Sequence, residues 1–210
     1  METVAAWREL LGVEDPAARN ALARAFLTEV RWPDGASCPR CGSTRVVPVR
    51  SRSQFDCRAC RYRFSVTAGT VFHDSNLPLW KWLVAVSLLV ESEDGFPAQR
   101  LARTIGVSYK TAWSIGHRVR TVFAEQVPAD AGGSRRFAPT YHVVSDKYLP
   151  AYRAEVEWRE RNRQNPEAFL DAVRALLAAP QHERRILHGW TTGRSTSSER
   201  GPLPPQTRTA

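Results

Sequence analysis

With 210 residues, 42% of them apolar and 24% charged, the chain has room for one full domain or two small ones with real cores. A formal charge of +9 makes nucleic acid the first candidate partner, because neutralising phosphates releases counterions; a merely soluble basic surface is the alternative that charge alone leaves open. No apolar run reaches the ~18 residues of a membrane span: the longest, Leu79 to Val90, contains Lys81. The first residues lack an apolar signal core, so the chain is expected in the cytoplasm, where thiols stay reduced.

In chain order, residues 16–30 place Ala17, Leu22, Ala25, Phe26 and Val30 at helical spacing, with Pro16 suited to a first turn. The run Arg31-Trp32-Pro33-Asp34-Gly35 stops that helix. Residues 36–72 hold all four cysteines among short β-prone stretches at 46–49 and 63–67. From Leu77 to about Val122 the period is helical again. Residues 124–140 have no usable period and predict a flexible junction, helical character resumes over 145–179, and the tail from 181 to 210 is low-complexity and expected to be disordered.

Cys38-Pro39-Arg40-Cys41 and Cys57-Arg58-Ala59-Cys60 form a C-x2-C, x15, C-x2-C pattern. Each short pair bends the backbone so that two thiolates face one metal, and two pairs complete a closed S4 site, the arrangement of structural zinc. Gly42 provides a position where positive φ costs little, and Arg40, Arg58 and Arg61 would offset the negative charge of a Zn(Cys)4 centre. Unrelated buried cysteines, a redox pair or an iron–sulfur site fit the spacing less well. The intervening segment is long enough for a hairpin, hence a zinc ribbon. Between Arg31 and Asp74 eight arginines face three acids, which suits DNA contact, although ribbons also dock proteins.

Residues 97–120 predict a helix-turn-helix, with Ala102 at the helix crossing, Gly106 in the turn, and Ala112 on the inner face of the second helix. Leu101, Ile105, Val107 and Ile115 would fill the core, Ser108 would cap the second helix, and Leu79 to Leu89 would supply a preceding helix. Candidates to face a DNA groove are Tyr109, Lys110, Thr111, Ser114, His117 and Arg118. From Phe96 to Phe123 there are five Lys and Arg residues and no acids.

The residues Trp32-Pro33-Asp34-Gly35, the four cysteines, Phe64-Ser65-Val66-Thr67, Gly69-Thr70-Val71-Phe72, Leu77-Pro78-Leu79, Trp82, Thr111-Ala112-Trp113, His117-Arg118 and Arg120 carry a resemblance. Over residues 20–122 the chain resembles the N-terminal region of bacterial insertion-sequence transposases of the ISXO2-like kind. In that family a DDE domain of RNase H-like fold follows, whose three acids hold two divalent metal ions for strand transfer. Such a domain needs on the order of 100–150 residues, which the chain lacks at that place. A second stretch, about 140–177, with Tyr141-His142, Ser145, Lys147-Tyr148-Leu149, Tyr152, Glu155, Trp158-Arg159 and Asn162-Arg163, resembles the C-terminal helix beyond the third catalytic acid. The resemblance implies both ends of a transposase joined near residues 123–136, with the catalytic middle deleted.

The expected fold is α+β, mainly helical: an N-terminal helix (1–30), zinc ribbon (31–76), helix-turn-helix bundle (77–123), junction (124–140), orphaned C-terminal helices (141–180) and tail (181–210). Asp130, Asp146, Glu155 and Glu157 do not form a compressed active site by spacing; Glu155 is expected to make a solvated pair with Arg159. The chain reads as a transposase-derived, catalytically inactive DNA-binding protein with structural zinc and no catalytic magnesium site. Its expected partners are duplex DNA, in the first place insertion-sequence terminal repeats, and itself or a full-length transposase. The alternative is a ribbon that docks protein or regulates transcription. With no sheet to receive it, the C-terminal half is expected to be mobile or to self-associate.

Overall fold

The first helix, α1 (Pro16–Arg31), is opened by Asp15, whose carboxylate accepts the Ala18 amide at 2.7 Å, while Pro16 occupies the first turn where no amide is needed. Ala23, Phe26 and Leu27 form its buried stripe. A computed structural model of the chain describes residues 9–10, 12–93, 95–127 and 144–179. Most of the expected junction, the tail, Asp130, Tyr141 and His142 lie outside the described residues.

After α1 comes a three-stranded antiparallel sheet in the order β1 (Val46–Val49), β2 (Gln54–Cys57) and β3 (Arg63–Phe64). Val46 pairs with Cys57 and Val49 with Gln54, and a 3-10 turn, Arg50–Arg52, closes the hairpin. Pro48 sits in β1, an edge strand, where its missing amide donor is tolerated. Trp32, at the end of α1, meets Phe55 and Phe64 edge-on with ring centroids 5.4 and 5.9 Å away, so the helix end is packed on the sheet. Arg31 continues this join: its guanidinium donates to the carbonyls of Val66 and Ala68.

The helical layer holds α2 (Leu79–Glu91), α3 (Ala98–Ile105) and α4 (Tyr109–Gln126). The α2 helix buries Trp82, Leu83, Ala85, Val86, Leu89 and Val90, more than one face, because helices lie on several sides of it. Between α3 and α4 the chain turns at Gly106, whose φ of +62° is left-handed and cheap only for glycine. Ser108 caps α4 by accepting the Thr111 amide at 3.1 Å. Leu101, Ala102, Ile105, Ala112 and Ile115 are all buried where the two helices meet.

The last two helices, α5 (Leu149–Arg161) and α6 (Ala168–Ala178), are not orphaned. Phe169, Leu170, Ala172, Val173, Leu176 and Leu177 of α6 belong to the same core as α1 and α2. The Phe169 ring stacks on Phe26 at 6.1 Å. Burying five large side chains of this stripe contributes on the order of 10 kcal/mol, before the cost of ordering the helix is subtracted. On α5, Trp158 lies nearly parallel to Phe123 of α4 at 4.2 Å, and its indole donates to Gln126 at 2.9 Å. The physical reason for the difference is simple: α1, α2 and α4 leave apolar surface that an isolated reading of the C-terminal segment could not see. The architecture is α+β and mainly helical, and among the described residues no helix is long and apolar enough to cross a membrane.

Candidate zinc centre and basic helical surface

Both cysteine knuckles are built the same way. The amides of Gly42 and Arg61 donate to the carbonyls of Cys38 and Cys57 at 2.8 and 2.9 Å, and the amides of those two cysteines bond to Ser43 and Tyr62 at 3.0 and 2.9 Å. Each knuckle turns through a left-handed residue: Gly42 with φ of +71° and Arg61 with φ of +58°. Arg61 shows that the second knuckle accepts the strain of a side chain where the first avoids it.

The four sulfurs lie within 4.8 Å of one another, with Cys38 3.7 Å from Cys60 and Cys41 3.6 Å from Cys57. A tetrahedral zinc with Zn–S bonds of about 2.3 Å needs sulfur–sulfur edges of about 3.8 Å. The donor set therefore fits a closed structural zinc site, with Cys38 and Cys57 buried and Cys41 at the surface. Backbone amides at Cys60 and Ala59 aim at the Cys57 thiol and lower its pKa to about 6. For Cys41 the Ser43 amide pulls downward, but sharing the pocket with Cys60 and the other sulfurs outweighs it and raises the thiol to about 12. A bound dication would favour the thiolate at all four positions.

Around this centre Arg40, Arg58 and Arg61 are exposed, as expected of residues that offset its charge. Beside Cys57, a surface concavity of about 340 Å3 is lined by Asp56, Arg58, Arg61 and Arg63. Arg63 grips Asp56 with two bonds of 2.7 and 3.1 Å, which holds that carboxyl below the usual carboxylate range.

The six groove candidates on α4 divide. Tyr109, 57% exposed, and Lys110 stand free at the first turn; Thr111 and Ser114 are partly covered. His117 and Arg118 are turned inward, unlike a groove-facing reading of the helix. The His117 ring is stacked on Trp113 at 5.0 Å and met edge-on by Tyr148 at 5.3 Å, leaving Nε2 buried without a partner. Burial lowers its pKa below the ordinary histidine value, and the charges of Arg120 and Lys147 push the same way. Arg118 donates to the carbonyls of Val71 and His73 at 3.0 and 3.2 Å, bracing the chain between ribbon and α2. A helical period places both residues on one side of α4 but cannot show what covers that side.

Glu155 also differs from expectation. It does pair with Arg159, at 3.6 Å, but the pair is buried rather than solvated, and its closer partner is Arg120 of α4. Charge spacing within α5 could reveal the first partner and not the second.

Residues 20–63 match the transposase zinc-ribbon domain. The chain is also 33% identical over 91 residues to an uncharacterized protein in transposable element ISH50 of Halobacterium salinarum; the match covers 42% of this chain and 30% of that protein. No solved structure matches. Over its ribbon, then, the chain is transposase-related.

Proposed function

We propose that the chain binds duplex DNA as the N-terminal region of an insertion-sequence transposase would, and that it neither cuts nor joins DNA itself. The observation that carries the binding reading is the first turn of α4: Tyr109 and Lys110 project into solvent directly after the Gly106 turn and the Ser108 cap. Helix-turn-helix proteins read bases with that end of their second helix. Lys110 and Tyr109 contact base edges or phosphates in this reading, Thr111 and Ser114 assist, and the ribbon arginines hold the backbone. The terminal repeats of the element are the target, and a second copy or a full-length transposase is the protein partner.

Support for the second half comes from the acids of the C-terminal region. Two-metal strand transfer needs carboxylates that are free to hold ions ~3.5–4 Å apart. Glu155 is occupied by two guanidiniums, Glu157 by Arg161 at 3.0 Å, and Asp146 is exposed in a turn.

Fluorescence anisotropy of the zinc-loaded chain with duplexes carrying the flanking repeats, against scrambled duplexes, tests the first half. Binding should weaken steeply as salt rises and prefer the repeats. An absence of salt-dependent binding would leave a protein-docking ribbon as the better reading. Incubation of the same duplexes with Mg2+ or Mn2+ should yield no nicks; metal-dependent nicking that disappears in Asp146→Asn overturns the second half.

A further inference from the structure

Away from α4, α1, the hairpin tip and the loop before α2 enclose a cleft of about 350 Å3. Two arginines, Arg24 and Arg52, line it, and its lining contains no acidic residue. Among the described residues neither guanidinium lies in an ion pair. This is uncommon for neighbouring arginines in a structured cleft, because their mutual repulsion is normally relieved by a carboxylate or by a bound anion.

The neutral groups in the cleft have had their acceptors consumed. Asn20 uses its Oδ1 on the Leu79 amide at 2.7 Å, so its side-chain NH2 is what remains to offer. The Ser75 oxygen accepts from the Trp82 indole at 3.0 Å and from the Leu77 amide at 3.2 Å, which leaves only its O–H to donate. Arg24 is positioned in advance by a 3.1 Å bond to the Ser53 hydroxyl at the hairpin tip. The start of α2, at Pro78 and Leu79, also lines the space and adds a little positive potential. Donors and positive charge therefore converge where acceptors have been withdrawn.

We propose that this cleft binds a phosphate group, a backbone phosphate of the nucleic acid, at a site separate from the first turn of α4. Resting on the DNA-binding reading above, it makes the seam between α1 and the ribbon a second anchor on the strand. Arg24 and Arg52 supply charge, and Asn20 and Ser75 supply neutral donors to the same oxygens. The concavity beside Cys57 is a weaker candidate, because Asp56 already answers one of its arginines.

The test uses the full zinc-loaded chain, the double variant Arg24→Gln/Arg52→Gln, and a control of equal charge loss, Arg153→Gln/Arg163→Gln, at exposed positions on and just after α5. Circular dichroism and zinc content establish that all three are folded. In the first arm, NMR follows the Arg24 Nε–H and the Asn20 side-chain amide during titration with inorganic pyrophosphate. Both signals should shift in the native chain, and the Asn20 shift should vanish in the cleft variant and persist in the control. In the second arm, the log–log salt slope of duplex binding should fall by about 2 in the cleft variant, and clearly less in the control. Pyrophosphate shifts without any duplex binding would keep the phosphate site and remove the nucleic-acid reading. Equal salt slopes in the two double variants would overturn the second anchor, and silence of the cleft towards both probes overturns the site itself.

Discussion

The guanidinium of Arg120 donates to the carboxylate of Glu155 with both side chains withdrawn from solvent, 1% and 0% exposed. Arg159 approaches the same carboxylate from α5 and also donates to the Ser92 carbonyl at 2.7 Å, while the Tyr152 ring lies 4.0 Å from the Arg120 guanidinium. One acid thus serves two cations, and α4 is tied to α5 through it. Gly116 makes room for the arrangement: a Cβ there would stand 2.6 Å from Arg120 Nη1.

Removing only the acid should therefore be severe. Glu155→Ala leaves Arg120 buried without its counter-charge and is expected to cost about 3–5 kcal/mol in urea unfolding. Replacing the pair by apolar residues, Arg120→Met with Glu155→Leu, should cost much less, since neither desolvated charge remains. A Glu155→Ala loss below about 1 kcal/mol would contradict the buried geometry.

For zinc, the expected behaviour is partial unfolding. Cys38, Cys57, Phe64 and Ala68 form a cluster distinct from the main helical core. Chelation, or Cys57→Ser, should release one zinc per chain and speed hydrogen exchange across residues 38–63, while residues 79–126 stay protected. Full zinc content in the Cys57→Ser protein would remove that residue from the ligand set.

The α6 helix offers a test of the C-terminal packing. Phe169→Ala deletes a ring 5% exposed and stacked on Phe26, and should cost about 3–5 kcal/mol. Exchange over 149–178 should be as slow as in α2. Fast exchange there, with an unaltered midpoint in the variant, would return α6 to the status of a loose appendage.

Lys110 and Arg118 should respond in different ways. Lys110→Ala is expected to weaken duplex binding by about 1–3 kcal/mol if it reads a base, and by less for a phosphate, with the fold unchanged. Arg118→Ala should lower stability, since it strips donors from the Val71 and His73 carbonyls, and should alter binding only as far as the fold loosens. Anisotropy and urea midpoints measured on both variants separate the two roles.

His117 brings a pH dependence. Its folded pKa is depressed below 6.5 by burial, so below that pH the unfolded chain takes up more protons and stability falls as pH falls. The loss begins near pH 6.5 and continues down to the folded pKa. Because the ring is only half-buried, the slope should be a fraction of the ~1.4 kcal/mol per pH unit that one group can supply. Urea midpoints of the native and His117→Asn chains should converge as pH falls from 7.5 to 5; parallel curves would show that the ring is not desolvated.

What could be read in advance was what depends on near neighbours. The zinc pattern is local, because two residues between cysteines dictate where both thiols point, and Gly106 and Ser108 carry their turn and cap in their own chemistry. The helical periods of α1, α2 and α6 were equally visible. Pairing across the chain was not. The stripe from Phe169 to Leu177 declares that something must cover it, yet nothing in its spacing names Phe26. Glu155 beside Arg159 looks like an ordinary surface pair until Arg120 arrives from another helix. His117 and Arg118 share this limit: their types suit a DNA groove, and only the placement of Tyr148 and the Val71 and His73 carbonyls commits them elsewhere.

Because α6 completes a core begun by α1, the order of synthesis matters. A ribosome that has released α1 and α2 has exposed their shared apolar groove, and its occupant is among the last described segments to be made. The nascent chain must carry that sticky surface for most of its translation, at ~5–20 residues per second, and closing it requires contacts of long sequence separation. A premature stop before Ala168 would therefore release a fragment with its ribbon able to fold and its helical core left open, a natural client for chaperones and proteases.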